Sequence, residues 1–412
     1  MTGGINAQAL SASRSRSIHT PAIVLDGEQR SALAVTRSLG RRGVPVWVAD
    51  TSLASLASSS RFAHGALAYP DPTIHPEQFI DWLEALGQRH PHSVLFPLTD
   101  VTVPLVLRAT ARTGSLLTSL PHMAAYEAAS DKSRLLELAR SVDILVPQTW
   151  SVRRESRDQL PRAPHFPVVI KPSRSATTTS KGIVKRSVRY ASSQHEMESI
   201  VDVLLIDSDD ELLIQEYVAG SGVGVFALYD HSTPLFFFSH RRLRERPPTG
   251  GVSVLSESAE APNEGVSACR RLLEALEWHG VAMVEFKLDS LGRLWLMEIN
   301  ARLWGSLQLA VDCGADFPWW LYQLATGSNV TPSAHYEIGR RLRWWLGDLD
   351  NIYAQLRDSR CTPTFPAKMR AIGQFLLPWQ PRMRYELLRF QDPRPAFVAL
   401  EKYMRALRSG KR

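Results

Sequence analysis

Cysteine is scarce in this sequence. Its 412 residues include three cysteines, none of them in a C-x-x-C pair: Cys269, Cys313 and Cys361. A disulfide framework or a zinc knuckle needs more cysteines at closer spacing. Histidines such as His64, His240 and His279 also lack metal-ligand spacing, so we expect them to be surface residues or hydrogen-bonded core residues and not metal ligands. The scarcity argues against a disulfide-rich secreted protein and favours a reducing, cytoplasmic setting.

Long apolar runs are also missing. No stretch reaches the roughly 18 apolar residues of a membrane-spanning helix, so we expect no integral membrane segment. The start, MTGGINAQALSASRSRSIHT, lacks the continuous apolar core of a secretory signal. It is rich in Ser and Arg and has no acids, which fits a disordered tail over residues 1–20 better than a transit peptide.

Charge of one sign does not dominate the chain. The 48 basic and 41 acidic residues leave a net charge of +7, mostly dispersed. Aromatic residues are not interleaved with the basic runs as base stacking requires, so we expect no nucleic-acid partner. With 44% hydrophobic and 22% charged residues the composition is that of a globular protein, and the length predicts two or three domains.

The region after Thr20 reads as a βαβ unit. An apolar strand is followed by a turn at Gly27, a helix and a second strand. The turn DGEQRS has one glycine where a dinucleotide fingerprint needs three, which excludes a NAD site. Thr99 and Asp100 end a later predicted strand, where they either meet a ligand or, in the case of Asp100, cap the next helix.

Two lysines stand at the ends of predicted elements in the next region. Ser130 or Asp131 can cap a helix with Lys132 in its first turn, and the buried strand VVIKP contains Lys171. Lysine ammonium groups bind phosphate oxygens as point charges. The loop SRSATTTSKG that follows offers hydroxyl and backbone donors for a phosphate chain, or is a mobile polar loop.

A predicted hairpin carries two glutamates and an asparagine. VAMVEFKLD and RLWLMEIN flank a turn with Ser290 and Gly292, which places Glu285 opposite residue 297, give or take one. Glu285 and Glu298 then face each other, and like charges that close need a cation or a proton between them. Asn300 shares the face of Glu298. This oxygen ligand set predicts Mg²⁺ or Mn²⁺, and the alternative is a solvent-facing polar edge.

Arginines crowd the stretch HRRLRERPPTGG. Alternation along a strand would put Arg242, Arg244 and Arg246 on one face. Guanidinium groups bind carboxylates and phosphates bidentately, so this face either binds a substrate anion or is a solvated basic edge strand. Arg242 is the preferred anion-binding member.

Taken in chain order, Lys132, VVIKP, IQEYVAGSG, VEFK and MEINAR resemble the ATP-grasp superfamily, as in the ATP-binding domains of biotin carboxylase and carbamoyl phosphate synthase. The specific element is E-I-N-x-R after an apolar strand, with a second Glu thirteen residues earlier. The resemblance covers residues 20–330. It implies an α/β protein: an N-terminal doubly wound parallel-sheet domain over 21–125, a two-lobed α+β ATP-grasp domain over 126–330, and a mostly helical C-terminal extension over 331–412.

The resemblance also implies roles for the motif residues. Two features depart from the family pattern: Gly222 stands where many members have a ribose-binding Glu, and the phosphate loop is rich in Ser and Thr instead of Gly. The implied roles are phosphate binding for Lys132 and Lys171, an adenine pocket for Gln215, Glu216, Tyr217 and Val218, one or two Mg²⁺ on Glu285, Glu298 and Asn300, and contact with the transferred phosphate for Arg302.

The implied activity is ATP- and Mg²⁺-dependent ligation of a carboxylate to an amine through an acyl phosphate. Phosphoryl transfer depends mainly on positioning and electrostatics, which fits a site of metal, lysine and arginine. The expected partners are small-molecule acids and amines, with a homodimer among the assemblies open to it. Two alternatives remain: a small-molecule kinase, and a nucleotide-binding regulatory or assembly protein without turnover.

Overall fold

The computed structural model describes residues 19–162, 164–174, 176–179, 182–185, 188–206, 211–248, 251–357, 364–377 and 381–409. Most of the predicted N-terminal tail, part of the SRSATTTSKG loop and Cys361 lie outside the described residues.

The N-terminal region is a parallel α/β layer. Its four strands have the order β3-β2-β1-β4, and each neighbouring pair is parallel. The strands are short. They are apolar because helices and loops cover both faces of the sheet. The elements are β1 Ala22–Val24, α1 Arg30–Arg41, β2 Val46–Asp50, β3 Gly65–Ala68, α2 Pro76–Arg89, β4 Val94–Phe96 and α3 Thr102–Ala109.

A small lobe follows, built on the antiparallel sheet β5-β10-β6-β9 with a separate β7-β8 hairpin. The side chain of Asp131 accepts hydrogen bonds from the backbone of Ser133 and Arg134, so Asp131 is the cap that starts the lysine-bearing helix. The elements are α4 Met123–Ser130, α5 Lys132–Ser141, β5 Thr149–Val152, β6 Val168–Pro172, β7 Ala176–Thr179, β8 Gly182–Lys185, β9 Arg189–Ala191, α6 Gln194–Ile206 and β10 Leu212–Glu216.

The large lobe is a seven-stranded sheet of order β15-β14-β11-β12-β13-β16-β17. Gly222 and Gly224 lie inside β11, and Gly220 lies in the connection between β10 and β11. The elements from β11 to α9 are β11 Ser221–Asp230, β12 Thr233–Arg246, β13 Val252–Ala259, α7 Asn263–Ala275, β14 Gly280–Leu288, β15 Leu294–Asn300, α8 Leu307–Asp312 and α9 Phe317–Ala325.

The C-terminal extension completes this sheet. Within the extension that was predicted to be mostly helical, Arg341–Arg343 form a strand instead, because these residues pair with β13 on one side and β17 on the other. The elements are β16 Arg341–Arg343, α10 Trp345–Arg357, α11 Phe365–Leu376, β17 Met383–Tyr385 and α12 Arg394–Arg408. The predicted α/β fold class is confirmed, with two short strands added to the helical extension, while the domain limits remain predictions.

One apolar core joins the N-terminal layer to the large lobe. It runs from α1 and β1 to β11, β12, α8, α9 and residues of the extension. A second core lies under α7, and the small lobe has its own. In the described part of the chain, no helix is both long and apolar enough to cross a membrane.

Candidate nucleotide and metal site

The hairpin of β14 and β15 places two glutamates side by side. Glu285 pairs with Glu298, within one residue of the predicted register, because a β-bulge at Glu285/Phe286 leaves Met297 unpaired. The Asn300 amide Nδ2 donates to Glu285 Oε1 at 3.0 Å and to Glu298 Oε1 at 3.1 Å. The alternative of a solvent-facing polar edge is therefore wrong, since the three side chains form one partly buried cluster.

The two carboxylates differ in electrostatics. Burial raises the pKa of Glu285, with repulsion from Glu298 adding to it and the Arg242 guanidinium opposing it. Burial acts in the same direction on Glu298, but the Lys132 and Lys171 ammonium groups outweigh it and lower the pKa of that carboxyl. Glu298 is thus the carboxylate that stays ionised most readily next to a cation or a phosphate.

Both predicted lysines point at this cluster. Lys132 Nζ lies 3.6 Å from Glu298 Oε2, and its backbone N–H donates to Ser173 in the small lobe. Lys171 is 7% exposed and donates to Gln215 Oε1 at 2.9 Å. Burial, aided by the nearby Lys132 charge, lowers the pKa of Lys171 to about 8. Two lysines this close to each other form a site for a polyanion.

The lowered pKa predicts how stability responds to pH. Between about pH 8 and its ordinary value of 10.5, Lys171 binds fewer protons in the folded chain than in the unfolded one, so the free energy of unfolding rises with pH over this window. Urea unfolding of the wild type and Lys171→Met should show a smaller rise for the variant. Parallel pH profiles for the two proteins would contradict the assignment.

Arg302 connects this cluster to the N-terminal layer. Its Nε lies 2.8 Å from Asp100 Oδ1 and its Nη2 lies 3.1 Å from Asp100 Oδ2, a bidentate ion pair. Asp100 does not cap α3, which begins after Val101 without a side-chain cap. Burial alone would lower the pKa of Arg302, but Asp100 outweighs it and raises that pKa. Asp100 was a candidate ligand-binding residue in the sequence, but no sequence pattern links it to Arg302, which is 202 positions away.

Arg242 lies against the glutamates, on an interior strand. Because β12 pairs with β11 and β13, the alternative of a solvated basic edge strand is wrong. Arg242 Nη2 lies 2.5 Å from Glu285 Oε2, and its Nη1 lies 3.0 Å from Glu245 Oε1. The predicted shared arginine face is also wrong: bulges break the alternation, and Arg244 and Arg246 pair instead with Asp348 and Asp350.

The four residues predicted to line the adenine pocket lie at the end of β10 and in the connection to β11, and their role in adenine binding remains a prediction. Gln215 is buried and links Lys171 to the Thr149 hydroxyl, which Gln215 Nε2 contacts at 2.8 Å. Glu216, Tyr217 and Val218 end β10 and begin the connection to β11, where Tyr217 meets the ring of Tyr190 edge-on at 6.3 Å. Only Gln215 among the four is thus in contact with the lysine cluster in the described structure.

Gly222 faces a carboxylate that sequence analysis did not single out. A Cβ added at Gly222 would lie 3.8 Å from Glu245 Oε1 and 3.7 Å from Arg242 Cδ. Glu245 on β12 therefore fills the space beside the position where the family pattern has its acid. The sequence signal was weak, since Glu245 stands between two arginines in a run read for its positive charge.

Two cavities share Asp100 in their walls. The first, of about 760 Å³, lies between the lobes and is lined by Asp100, Lys132, Glu298 and Asn300 among others. The second, of about 550 Å³, is lined by Asp100 and Arg302 together with the start of α1 and Trp344 from the extension. Both volumes suit small molecules.

The donor set fits the metal that the resemblance implies. Glu285 and Glu298 present hard oxygen ligands from adjacent strands, as Mg²⁺ and Mn²⁺ prefer. The Asn300 Oδ1 accepts from Arg302 at 3.3 Å, so Asn300 would add its oxygen to this ligand set only after its amide group turns over. The repulsion that helps to raise the Glu285 pKa is the kind a divalent cation relieves. Lys132, which lines the first cavity, and the nearby Lys171 place positive charge beside Glu298, the kind of charge that the phosphates of ATP require.

Comparison with known proteins agrees with the geometry. A family model described as "ATP-grasp in the biosynthetic pathway with Ter operon" matches residues 208–345. The L-amino acid ligase of Bacillus licheniformis is 14% identical, with a TM-score of 0.58 over 74% of this chain and 74% of its own. The N5-carboxyaminoimidazole synthetase of Staphylococcus aureus, complexed with ADP, is 15% identical, with a TM-score of 0.60 over 78% of this chain and 81% of its own.

A third similar structure is the biotin carboxylase domain of the Hydrogenobacter thermophilus 2-oxoglutarate carboxylase, in complex with MgADP and bicarbonate. It is 16% identical, with a TM-score of 0.61 over 78% of this chain and 73% of its own. The chain therefore has the ATP-grasp fold, which confirms the resemblance predicted from its motifs.

Proposed function

We propose that the protein is an ATP- and Mg²⁺-dependent ligase that joins a small carboxylic acid to an amine through an acyl phosphate. The observation that carries the proposal is the Asp100–Arg302 ion pair at the boundary of the two cavities: Asp100 lines both cavities, and its partner Arg302 lines the second. A nucleotide in the first cavity and an acid in the second would meet at Arg302. A two-substrate transfer needs this arrangement.

Residues in and beside the first cavity hold and orient the nucleotide. Lys132 and Lys171 neutralise phosphate oxygens, while Glu285, Glu298 and Asn300 would hold Mg²⁺, which would supply positive charge to stabilise the transferred phosphoryl group. Arg242 is fixed by Glu245 and Glu285 and presents its guanidinium beside the same carboxylates. Its role is charge stabilisation of the transferred phosphoryl group.

The second cavity takes the acid and then the amine. Arg302 orients the acid, whose carboxylate oxygen attacks the terminal phosphorus and releases ADP. The amine nitrogen then attacks the acyl carbon, the C–O bond to phosphate breaks, and amide, phosphate and a proton are released. Trp344 and Arg30 form one wall, with the Arg30 guanidinium carbon 4.1 Å from the Trp344 ring centroid. This wall limits the size of the acid.

Glu245 is our proposed ribose ligand, in place of the acid that Gly222 lacks. Glu245→Gln should weaken MgATP binding roughly tenfold, because a charged hydrogen bond contributes about 1.5–3 kcal/mol and the amide retains part of it. Titration calorimetry with MgATP and with Mg-triphosphate is the measurement. Triphosphate lacks the ribose, so its affinity should be nearly unchanged, and an equal loss for both ligands would contradict the role.

The activity test combines MgATP with pairs of carboxylic acids and amines, including the standard amino acids. We expect ADP and phosphate release only when both partners are present, with an amide product found by mass spectrometry. ADP formed with one partner and a stable phosphorylated product would favour the kinase alternative. A rise in melting temperature with MgATP but no ADP release with any pair would favour the regulatory alternative, and no MgATP effect on folded protein would overturn all three.

A further inference from the structure

Three side chains meet at one end of the large sheet, outside the site described above. β11 ends at Asp230 and β12 begins at Thr233, so His231 lies in a two-residue turn. Tyr229 pairs with Gly280, which makes Asp230 and His279 the next positions on adjacent strands. No spacing pattern indicated this cluster, because His279 is 48 positions from His231.

The ligand atoms of the cluster are close together. His231 Nδ1 lies 2.8 Å and His279 Nδ1 lies 3.5 Å from Asp230 Oδ1, and the two imidazole centroids are 4.3 Å apart. Ligands on a tetrahedral zinc ion, at about 2.0–2.1 Å from the metal, are separated by roughly 3.3 Å. The two distances to Asp230 Oδ1 are close to this separation, and all three ligand atoms lie within 4.8 Å of one another.

We propose that Asp230, His231 and His279 bind Zn²⁺ or a similar transition-metal ion, with solvent in the fourth position. Two imidazoles and a carboxylate select these metals over Mg²⁺ or Ca²⁺, which prefer all-oxygen sites. In the described part of the chain this is the one group of three or more His, Cys, Asp or Glu side chains with metal-compatible separations.

The side chains of this cluster are accessible to a metal ion from solvent. His231 is exposed, and Asp230 is reachable from solvent. The backbone N–H of His231 donates a long hydrogen bond, of 3.3 Å, to His279 Nδ1. Rotation of the His279 ring would replace this hydrogen bond by coordination of the metal through either ring nitrogen.

The proposed site is structural and separate from the nucleotide site. Gly224 pairs with Glu285, and Asp230 lies six residues further along the same strand, about 20 Å away at 3.3 Å per residue. A bound ion would join the β11–β12 turn to the connection before β14, where the Ser232 N–H already donates to the Trp278 carbonyl at 2.8 Å. It would stabilise this end of the sheet without changing ATP binding.

Cobalt titration of untagged, chelator-treated full-length protein tests the proposal. We expect one Co²⁺ per chain with the intense visible absorption of tetrahedral coordination, displaced by Zn²⁺. His279→Ala and His231→Asn should lower the affinity at least about 10–100-fold, since even outer-shell changes have that effect. Asn tolerates the positive φ of 42° at residue 231, so this variant preserves the turn.

His335→Ala removes another exposed histidine and is the matched control, expected to bind as the wild type does. Weak, octahedral-type absorption, binding at several equivalent sites, or equal affinity in all variants would mean adventitious binding only and would overturn the proposal. Because MgATP binding should be unchanged in these variants, failure here leaves the proposed ligase function untouched.

Discussion

Glu298→Gln is expected to abolish the Mg²⁺-dependent stabilisation of the protein by ATP. In the wild type, MgATP at about 100 times its dissociation constant should raise the free energy of unfolding by roughly 2.7 kcal/mol. Glu298 is the carboxylate whose pKa Lys132 and Lys171 hold down, so it supplies the most dependable negative charge for the metal. Glutamine keeps the shape and removes that charge, and we expect ADP release to fall by about 100-fold or more as well.

Thermal unfolding with ATP, with Mg²⁺ and with both measures this effect. Glu77→Gln is the matched control, because Glu77 is an exposed residue of α2 that pairs with Arg108 at 2.8 Å. The control should respond to MgATP as the wild type does. An undiminished response in Glu298→Gln would rule out the assigned metal ligand and the roles that depend on it.

The second large effect is on stability. Arg37→Met should lower the free energy of unfolding by about 3–5 kcal/mol, the cost of removing one partner of a buried ion pair. Arg37 is 1% exposed, and its Nε lies 2.8 Å from Asp392 Oδ2. Its Nη1 and Nη2 also donate to the carbonyls of Glu386 and Leu387 at 2.8 and 2.9 Å. The variant leaves the buried Asp392 carboxylate without its positively charged partner and removes a donor from each of the two carbonyls.

Urea unfolding compares this variant with Arg112→Met. Arg112 also makes ion pairs, with Asp81 and Glu84 at 2.7 Å, but on the exposed surface of the N-terminal layer. Exposed pairs contribute less than about 1 kcal/mol each, so the control should lose little. Equal losses in the two variants would mean that Arg37 does not anchor the C-terminal extension to α1.

Local interactions made much of the fold and part of the site predictable from sequence. Asp131 caps the helix that begins at Lys132 through hydrogen bonds spanning two and three residues, and such contacts are visible in any short window of sequence. The hairpin register followed from a short turn and strand alternation, which brought Glu285 to Glu298 within one residue. The motif order then identified the ATP-grasp resemblance.

Predictions from short sequence patterns were wrong where the pairing partners of a segment determine whether it forms a strand and whether that strand lies at the edge of the sheet. The alternating arginines of β12 were compatible with an edge strand, but β12 pairs with β11 on one side and with β13 on the other. Arg341–Arg343 has helical sequence context but forms a strand, since β13 and β17 supply its hydrogen-bonding partners. Tertiary pairing overrides local propensity in both cases.

The sequence by itself determined the elements, the residue types of the nucleotide and metal cluster, and their order. Only the tertiary structure decided which distant groups meet: Asp100 with Arg302, Glu245 beside Gly222, and Asp230 with His279. The physical reason is the distance along the sequence between the interacting residues. A cap or a hairpin is fixed by residues a few positions apart, whereas a charged side chain has many chemically equivalent partners along the chain, and packing selects one of them.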